Sequence, residues 1–254
     1  MQAGPVRQAA AAAALPLLLA GCGSGTYSWG WYVVLPTTQQ GQSNIRFLLA
    51  GLGTTVSLAL TAIAISVVLG LAVALPGLSR HRFARGFNRT YVELVRAVPL
   101  LVLLLWVYYG LPVVLGISLD AFMAGVIALA LSDSAFEAEI FRAGIQSVPK
   151  GQSEAADALG LSGFDRMRYV ILPQAIRRIL PPLGNQLVYM LKMSSLVSVI
   201  GLAELTRKAN ELVVNAYRPL EIYTFLVLEY LVLILLVSAA VRWVERRMAA
   251  GEGR

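Results

Sequence analysis

Five apolar segments, separated by short stretches that hold most of the arginines, constrain this chain more tightly than any single motif. Crossing the hydrocarbon of a bilayer as a helix takes about 20 consecutive apolar residues. Residues 47–79 and 97–119 contain no charged side chain. Residues 121–141 are apolar apart from Asp133, Glu137 and Glu139. Residues 179–203 carry one charge, Lys192, and residues 222–241 carry one, Glu229. None shows the two-residue alternation of a membrane barrel, so the backbone polar groups must be satisfied inside helices. The chain is read as an all-α membrane protein with five transmembrane helices. A composition of 57% hydrophobic and 14% charged residues is too apolar for a soluble domain of 254 residues. The formal net charge of +7 would suit nucleic acid, but the charges follow the loops, so no nucleic-acid partner is expected.

Short loops rich in Lys and Arg stay on the cytoplasmic side. Fifteen of the 21 Lys and Arg residues lie in 80–96, in 142–178 and after 241. Four lie on the opposite side: Arg46, Arg207, Lys208 and Arg218. The bias predicts an external N-terminus and a cytoplasmic C-terminus. The membrane domain is placed at 45–247 and a cytoplasmic tail at 248–254.

One cytoplasmic stretch, about 147–173, is ordered by its own local signals. Ser147 is expected to cap a helix whose first turn tolerates Pro149. Glu154-Ala155-Ala156 follows, and Gly160 stands where the chain must leave that helix with positive φ. Ser162 with Asp165 is a second capping signature. Val170-Ile171-Leu172-Pro173 then forms a short helical run that Pro173 is expected to interrupt as the chain re-enters the membrane. Ala155 and Ala156 would leave a thin face that seats in a partner's groove, with Glu154 at its rim.

This spacing resembles the cytoplasmic loop of ATP-binding-cassette importer permeases. Residues 138–159, AEIFRAGIQSVPKGQSEAADAL, and 189–208, YMLKMSSLVSVIGLAELTRK, are similar to the polar amino-acid uptake branch of that family. Two positions depart from its pattern, Val170 in place of the usual Ile and Met193 where many members carry an acid. The resemblance implies an importer-type transmembrane domain in a bacterial inner membrane. It also implies partners: a cytosolic ATPase dimer gripping the Glu154 loop, a second permease subunit (a copy or a homologue), and an external amino-acid-binding protein. ATP and Mg would sit on the ATPase subunits, with no cofactor on this chain. In agreement, none of the three lysines, Lys150, Lys192 and Lys208, follows a glycine as a phosphate-binding loop requires. With one histidine, His81, and one cysteine, Cys22, neither a catalytic set nor a metal site is expected.

Charges inside spans are costly and mark candidate functional positions. Lys192 lies about 11 residues into the fourth span, roughly 16 Å deep at about 1.5 Å per residue. It matches a lysine common in the family, with Ser194 and Ser195 beside it. It is read either as a contact for a substrate carboxylate or as the partner of an acid on a neighbouring helix. Asp133 and Glu137 share one face of the third span. Glu137 is expected to reach the headgroups and Asp133 to lie deeper, and Glu229 stands in the fifth span, where the family pattern has no acid. Such acids would either favour a cationic amino acid or pair with Lys192. Glu93 and Arg96 read as interfacial charges or the cytoplasmic end of a gate. Glu204, Arg207 and Lys208 read as an external contact for the binding protein or as solvated charges.

At the N-terminus, an apolar run from Ala9 to Ala20 leads into Leu19-Ala20-Gly21-Cys22, which resembles a lipoprotein signal. Residues 1–22 are read either as a signal with Cys22 lipidated or as an uncleaved apolar segment. Residues 23–44 are read as an external tether, with Tyr27, Trp29, Trp31 and Tyr32 at the interface. Two other functions remain open at this level. One is an ion-coupled secondary transporter, with Lys192, Asp133 and Glu229 as a relay. The other is a membrane scaffold that recruits a partner without transport.

Overall fold

The first uncharged stretch is longer than one crossing requires, and it folds as a helix that starts well before the stretch does. A computed structural model describes residues 27–79 and 81–249. The expectations for residues 1–26, Cys22 among them, and for 250–254 lie outside the described residues. Tyr27–Trp31 belongs to a compact unit separate from the rest of the chain. Within it the Trp29 and Trp31 rings stack at 6.1 Å, and Tyr27 meets Trp29 edge-on at 5.5 Å.

The larger unit is helical, with no strand among its described residues. Helix α1 (Gln39–Leu49) starts where Thr38 Oγ1 accepts a hydrogen bond from the Gly41 N–H at 3.0 Å. A short break at Ala50-Gly51 separates it from α2 (Leu52–Leu78). Gly51 is required there, because a Cβ would stand 2.6 Å from the Leu205 nitrogen. Most of the arginine-rich stretch is not a loop: Arg82–Ala97 forms α3, which ends where Pro99 holds Val98 extended. Helices α4 (Leu100–Leu105) and α5 (Leu111–Leu115) follow at 92° to α3. Then come α6 (Ala121–Gln146), α7 (Lys150–Ala158), the one-turn α8 (Gly163–Asp165) and α9 (Leu172–Met193). A 3₁₀ segment, Ser194–Ile200, leads to α10 (Leu205–Ala216) and the final α11 (Pro219–Ala249).

Three helical stretches, Gln39–Leu78, Ala121–Gln146 and Pro219–Met248, are long and apolar enough to cross a membrane alone. Two bent pairs, Arg82–Ala97 with Leu100–Leu115 and Gly163–Ile200 with Leu205–Ala216, bring the number to five if each pair is one span.

Pro173 does not interrupt its helix, contrary to the sequence expectation. The backbone widens to a π turn over Arg166–Ile171, with the Leu172 N–H bonded five residues back to the Met167 carbonyl. The helix then continues through Pro173 into α9. The same arrangement recurs before Pro112, where the Leu111 N–H reaches the Trp106 carbonyl. Proline lacks a donor and crowds the carbonyl four residues back, and the wider turn relieves both problems.

The core is centred on α2 and α6. Helices in lipid gain little from the hydrophobic effect against one another and rely on close backbone approach at small residues. Leu58, Ala59 and Ala62 of α2 are fully buried with Ala124 and Ala128 of α6. Gly70 of α2 lies against Glu137, where a Cβ would fall 2.4 Å from the Glu137 Cβ. A second cluster joins α2, α3, α6 and α9 through Ala74, Val92, Ala138 and Ala175. A third joins α1, α10 and α11 through Leu48, Leu205 and Ile222.

The close approach predicts an asymmetric response to adding one methyl group. Gly70→Ala is expected to destabilise the protein by about 1–3 kcal/mol, the usual cost of overpacking. Gly53→Ala, with nothing within 4 Å of its new Cβ, is expected to leave the thermal midpoint in detergent unlowered.

Candidate coupling loop and intramembrane polar site

The stretch between α6 and α9 is built by caps, though not all where the sequence suggested. Ser147 ends α6 rather than starting α7: its hydroxyl donates to the Gly144 carbonyl at 2.6 Å. Helix α7 is entered directly from Pro149, which supplies no side-chain cap. At its far end Gly160 has φ +75°, and the Leu161 N–H bonds back to the Ala156 carbonyl at 3.1 Å. Ser162 then caps the next turn, accepting from the Asp165 N–H at 3.1 Å and donating to its carboxylate at 2.6 Å.

Three side-chain contacts bind this loop to the helix that follows. Asp157 pairs with Arg166, the Gln174 amide donates to Gln152 at 3.2 Å, and Arg178 donates to the Ser147 carbonyl. Ala156 is buried, at 2% exposure, which corrects the expectation that both alanines face outward. The outer surface consists of Glu154, Ala155 and Gly160 together with Leu159, which is 81% exposed. Val170 is half-buried, whereas Leu172 and Pro173 are exposed on the re-entering helix.

Inside the bundle Asp133 and Glu137 are neighbours, but their hydrogen bonding differs. Asp133, 2% exposed, accepts hydrogen bonds at 2.6 Å from Ser66 Oγ on α2 and at 2.6 Å from Gln186 Nε2 on α9. One carboxylate thus joins three helices. Glu137 does not reach the headgroups: it is fully buried against Gly70, and neither carboxyl oxygen has a hydrogen-bond partner among the described residues. Beside it the Tyr91 and Ser134 hydroxyls meet at 2.7 Å.

Lys192 stands apart from these acids. It is exposed, and among the described residues no ion pair joins it to Asp133, Glu137 or Glu229. Ser194 and Ser195 donate to the Leu191 and Lys192 carbonyls at 2.8 and 2.7 Å. Glu229 is half-buried, with both oxygens unpartnered among the described residues.

Other predicted positions are resolved by local contacts. Glu93 pairs with Arg89 at 2.7 Å, and the Arg96 guanidinium lies 4.7 Å from the Phe136 ring centre. Glu204 is not a surface charge. It is fully buried at the start of α10, where its carboxylate accepts from the Arg207 N–H at 2.7 Å and the Tyr230 hydroxyl at 3.0 Å. Arg207 pairs with Glu211 at 2.9 Å, and Lys208 Nζ lies 4.4 Å from the centre of the Phe47 ring. Sequence reasoning missed Ser66, Gln186 and Tyr230. The available signal was a lone polar side chain in an apolar run, but nothing there names its partner.

With this geometry established, comparison with known proteins decides the family. The family of binding-protein-dependent transport system inner membrane components matches residues 66–250. The chain belongs to it. The permease is 37% identical over 205 residues to the glutamine transport system permease protein GlnP of Escherichia coli K12, a match covering 80% of this chain and 94% of that protein. It is 36% identical over 208 residues to the arginine transport system permease protein ArtQ of Bacillus subtilis, covering 82% and 95%. Among solved structures it superposes on a chain from an amino acid ABC transporter with histidines, with a TM-score of 0.76 and 44% identity. That match covers 81% of this permease and 96% of the other chain.

Removing one donor from the Asp133 junction should expose its energetic role. Ser66→Ala is expected to cost about 1–3 kcal/mol, because a buried acceptor loses a partner. In a thermal melt of the purified permease it should lower the midpoint, whereas Ser57→Ala, on the exposed side of α2, should not.

Proposed function

We propose that this permease is the membrane-spanning subunit of an ATP-driven, binding-protein-dependent importer for polar amino acids. Support comes from its relatives, whose names include glutamine and arginine permeases. The observation that carries the proposal is the capped, outward-facing ridge of α7. Glu154, Ala155 and Leu159 form a small exposed surface on a loop tied to α9. A cytosolic ATPase dimer seats there, with ATP and Mg on those partners and no nucleotide on this chain. A second permease subunit completes the pathway, and an external binding protein delivers the substrate.

In this reading each bent pair is one span, giving five, with the N-terminal side external and the C-terminus in the cytoplasm of a bacterial inner membrane. Residues 45–247 form the transmembrane domain, 23–44 the external tether and 248–254 the tail. The segment 1–22 is the signal, and Cys22 is a candidate for lipidation. Closure of the ATPases on ATP displaces α7, and the Asp157–Arg166, Gln152–Gln174 and Ser147–Arg178 contacts transmit the movement to α9. Gln186 on α9 holds Asp133, so the same movement reaches the α2–α6 pair. Substrate moves because its affinity differs between the two states of the pathway. Lys192, exposed and free of an ion pair among the described residues, is available to an α-carboxylate. Ser194, Ser195, Asp133, Glu137 and Glu229 are further pathway candidates.

The test is to purify the tagged permease in mild detergent and identify the chains that accompany it. Ala155→Trp should reduce recovery of the ATPase roughly tenfold, the effect of losing about 1.4 kcal/mol, without lowering the permease's own melting point. Ala156→Trp, at the buried face, should lower both. Recovery of intact wild-type permease alone, with uptake that follows an ion gradient and needs no ATP, would overturn the proposal.

A further inference from the structure

Two cavities between α9 and α11 share a wall but differ in chemistry. One, of about 460 Å³, lies toward the start of α9 and the end of α11 and is lined by Arg177, Arg178, Arg246 and Glu245. The other, of about 490 Å³, is an almost wholly apolar groove lined by Leu183 and Leu187 of α9 and Val237, Val241 and Val244 of α11. Leu180, Glu245 and Met248 line both, so the basic cavity adjoins the apolar one. The two helices touch where Gly184 lies under Val241, since a Cβ at Gly184 would stand 2.3 Å from Val241 Cγ1.

Arg178 and Arg246 share this cavity with the single carboxylate of Glu245. Arg178 already donates to the Ser147 carbonyl, but Arg246 has no hydrogen bond or ion pair among the described residues. One turn before it in α11, Trp243 is 53% exposed with the Arg247 guanidinium 4.7 Å from its ring centre. A half-exposed tryptophan beside arginines marks the headgroup level of a bilayer. A basic cavity at that depth, adjoining an apolar groove that follows the helices, matches an anionic phospholipid: phosphodiester at one end, acyl chain at the other.

We propose that the α9–α11 groove binds an anionic phospholipid, its phosphodiester held by Arg178 and Arg246 and one acyl chain lying along Leu183, Leu187 and Val241. The proposal requires only that α9 and α11 cross the bilayer, and it does not depend on the importer reading. Because Arg178 also holds the Ser147 carbonyl, the lipid headgroup lies next to the root of the α7 loop.

Native mass spectrometry of the full-length permease, delipidated in detergent and then given phosphatidylglycerol or phosphatidylcholine, tests this. The wild type should retain phosphatidylglycerol in preference to phosphatidylcholine. Arg246→Gln, at a side chain with no hydrogen bond or ion pair among the described residues, should reduce that preference about fivefold, corresponding to one surface cation. Soluble glycerophosphoglycerol, which carries the headgroup without chains, should fail to displace the lipid at matched concentration. Equal retention of the two lipids, or a preference that Arg246→Gln leaves unchanged, would overturn the proposal. So would full displacement by the free headgroup, or a dimer in which a second copy fills the groove and no lipid is retained.

Discussion

The close approach of α2 and α6 is the contact on which the rest of this bundle depends. Small residues, Ala59, Ala62 and Gly70 on one helix and Ala124 and Ala128 on the other, bring the backbones together. Their side chains then meet with no lipid between them. In a bilayer such packing has to stand in for the hydrophobic drive that assembles soluble cores. Once the pair is formed, Ser66 and Asp133 come into hydrogen-bond range, and Gln186 adds α9 to the same carboxylate. The apolar contact and the polar junction are therefore one unit: a shift of α2 on α6 would break both.

That unit leads physically toward the loop. Helix α9 carries Gln186 in its second half, and the π turn and Gln174 near its start connect it to α7. The helix runs unbroken through Pro173, with Pro181 and Pro182 further along it. The wide turn that accommodates Pro173 keeps α8 and α9 in one continuous helical run. Burial of Ala156 seats α7 on its own chain while Ala155 and Glu154 face out.

Charged side chains were the hardest positions to interpret from the sequence. Asp133, Glu137, Lys192 and Glu229 invited a single network, yet only Asp133 and Glu137 are neighbours in the structure. Asp133 is satisfied by neutral donors, Glu137 is shielded by Gly70, and Lys192 is exposed. Glu204 was read as an external charge but is buried under Tyr230 as a helix cap. A carboxylate in a one-dimensional chain can be matched with any cation at helical spacing. Only packing decides which donor arrives, and here hydroxyl and amide groups did.

The sequence by itself determined the helical class, the apolar stretches that make up the bundle, and the capped loop with its left-handed Gly160. These features follow from short-range rules: backbone polar groups must be satisfied in lipid, and positive φ excludes most side chains. The tertiary structure alone decided that the helix over residues 82–97 stands at 92° to the one that follows. It also decided that Ala156 faces inward and that Asp133 rests on Ser66 and Gln186. Those outcomes depend on contacts between residues as many as 67 positions apart. No local pattern encodes them, because they exist only once the helices have packed.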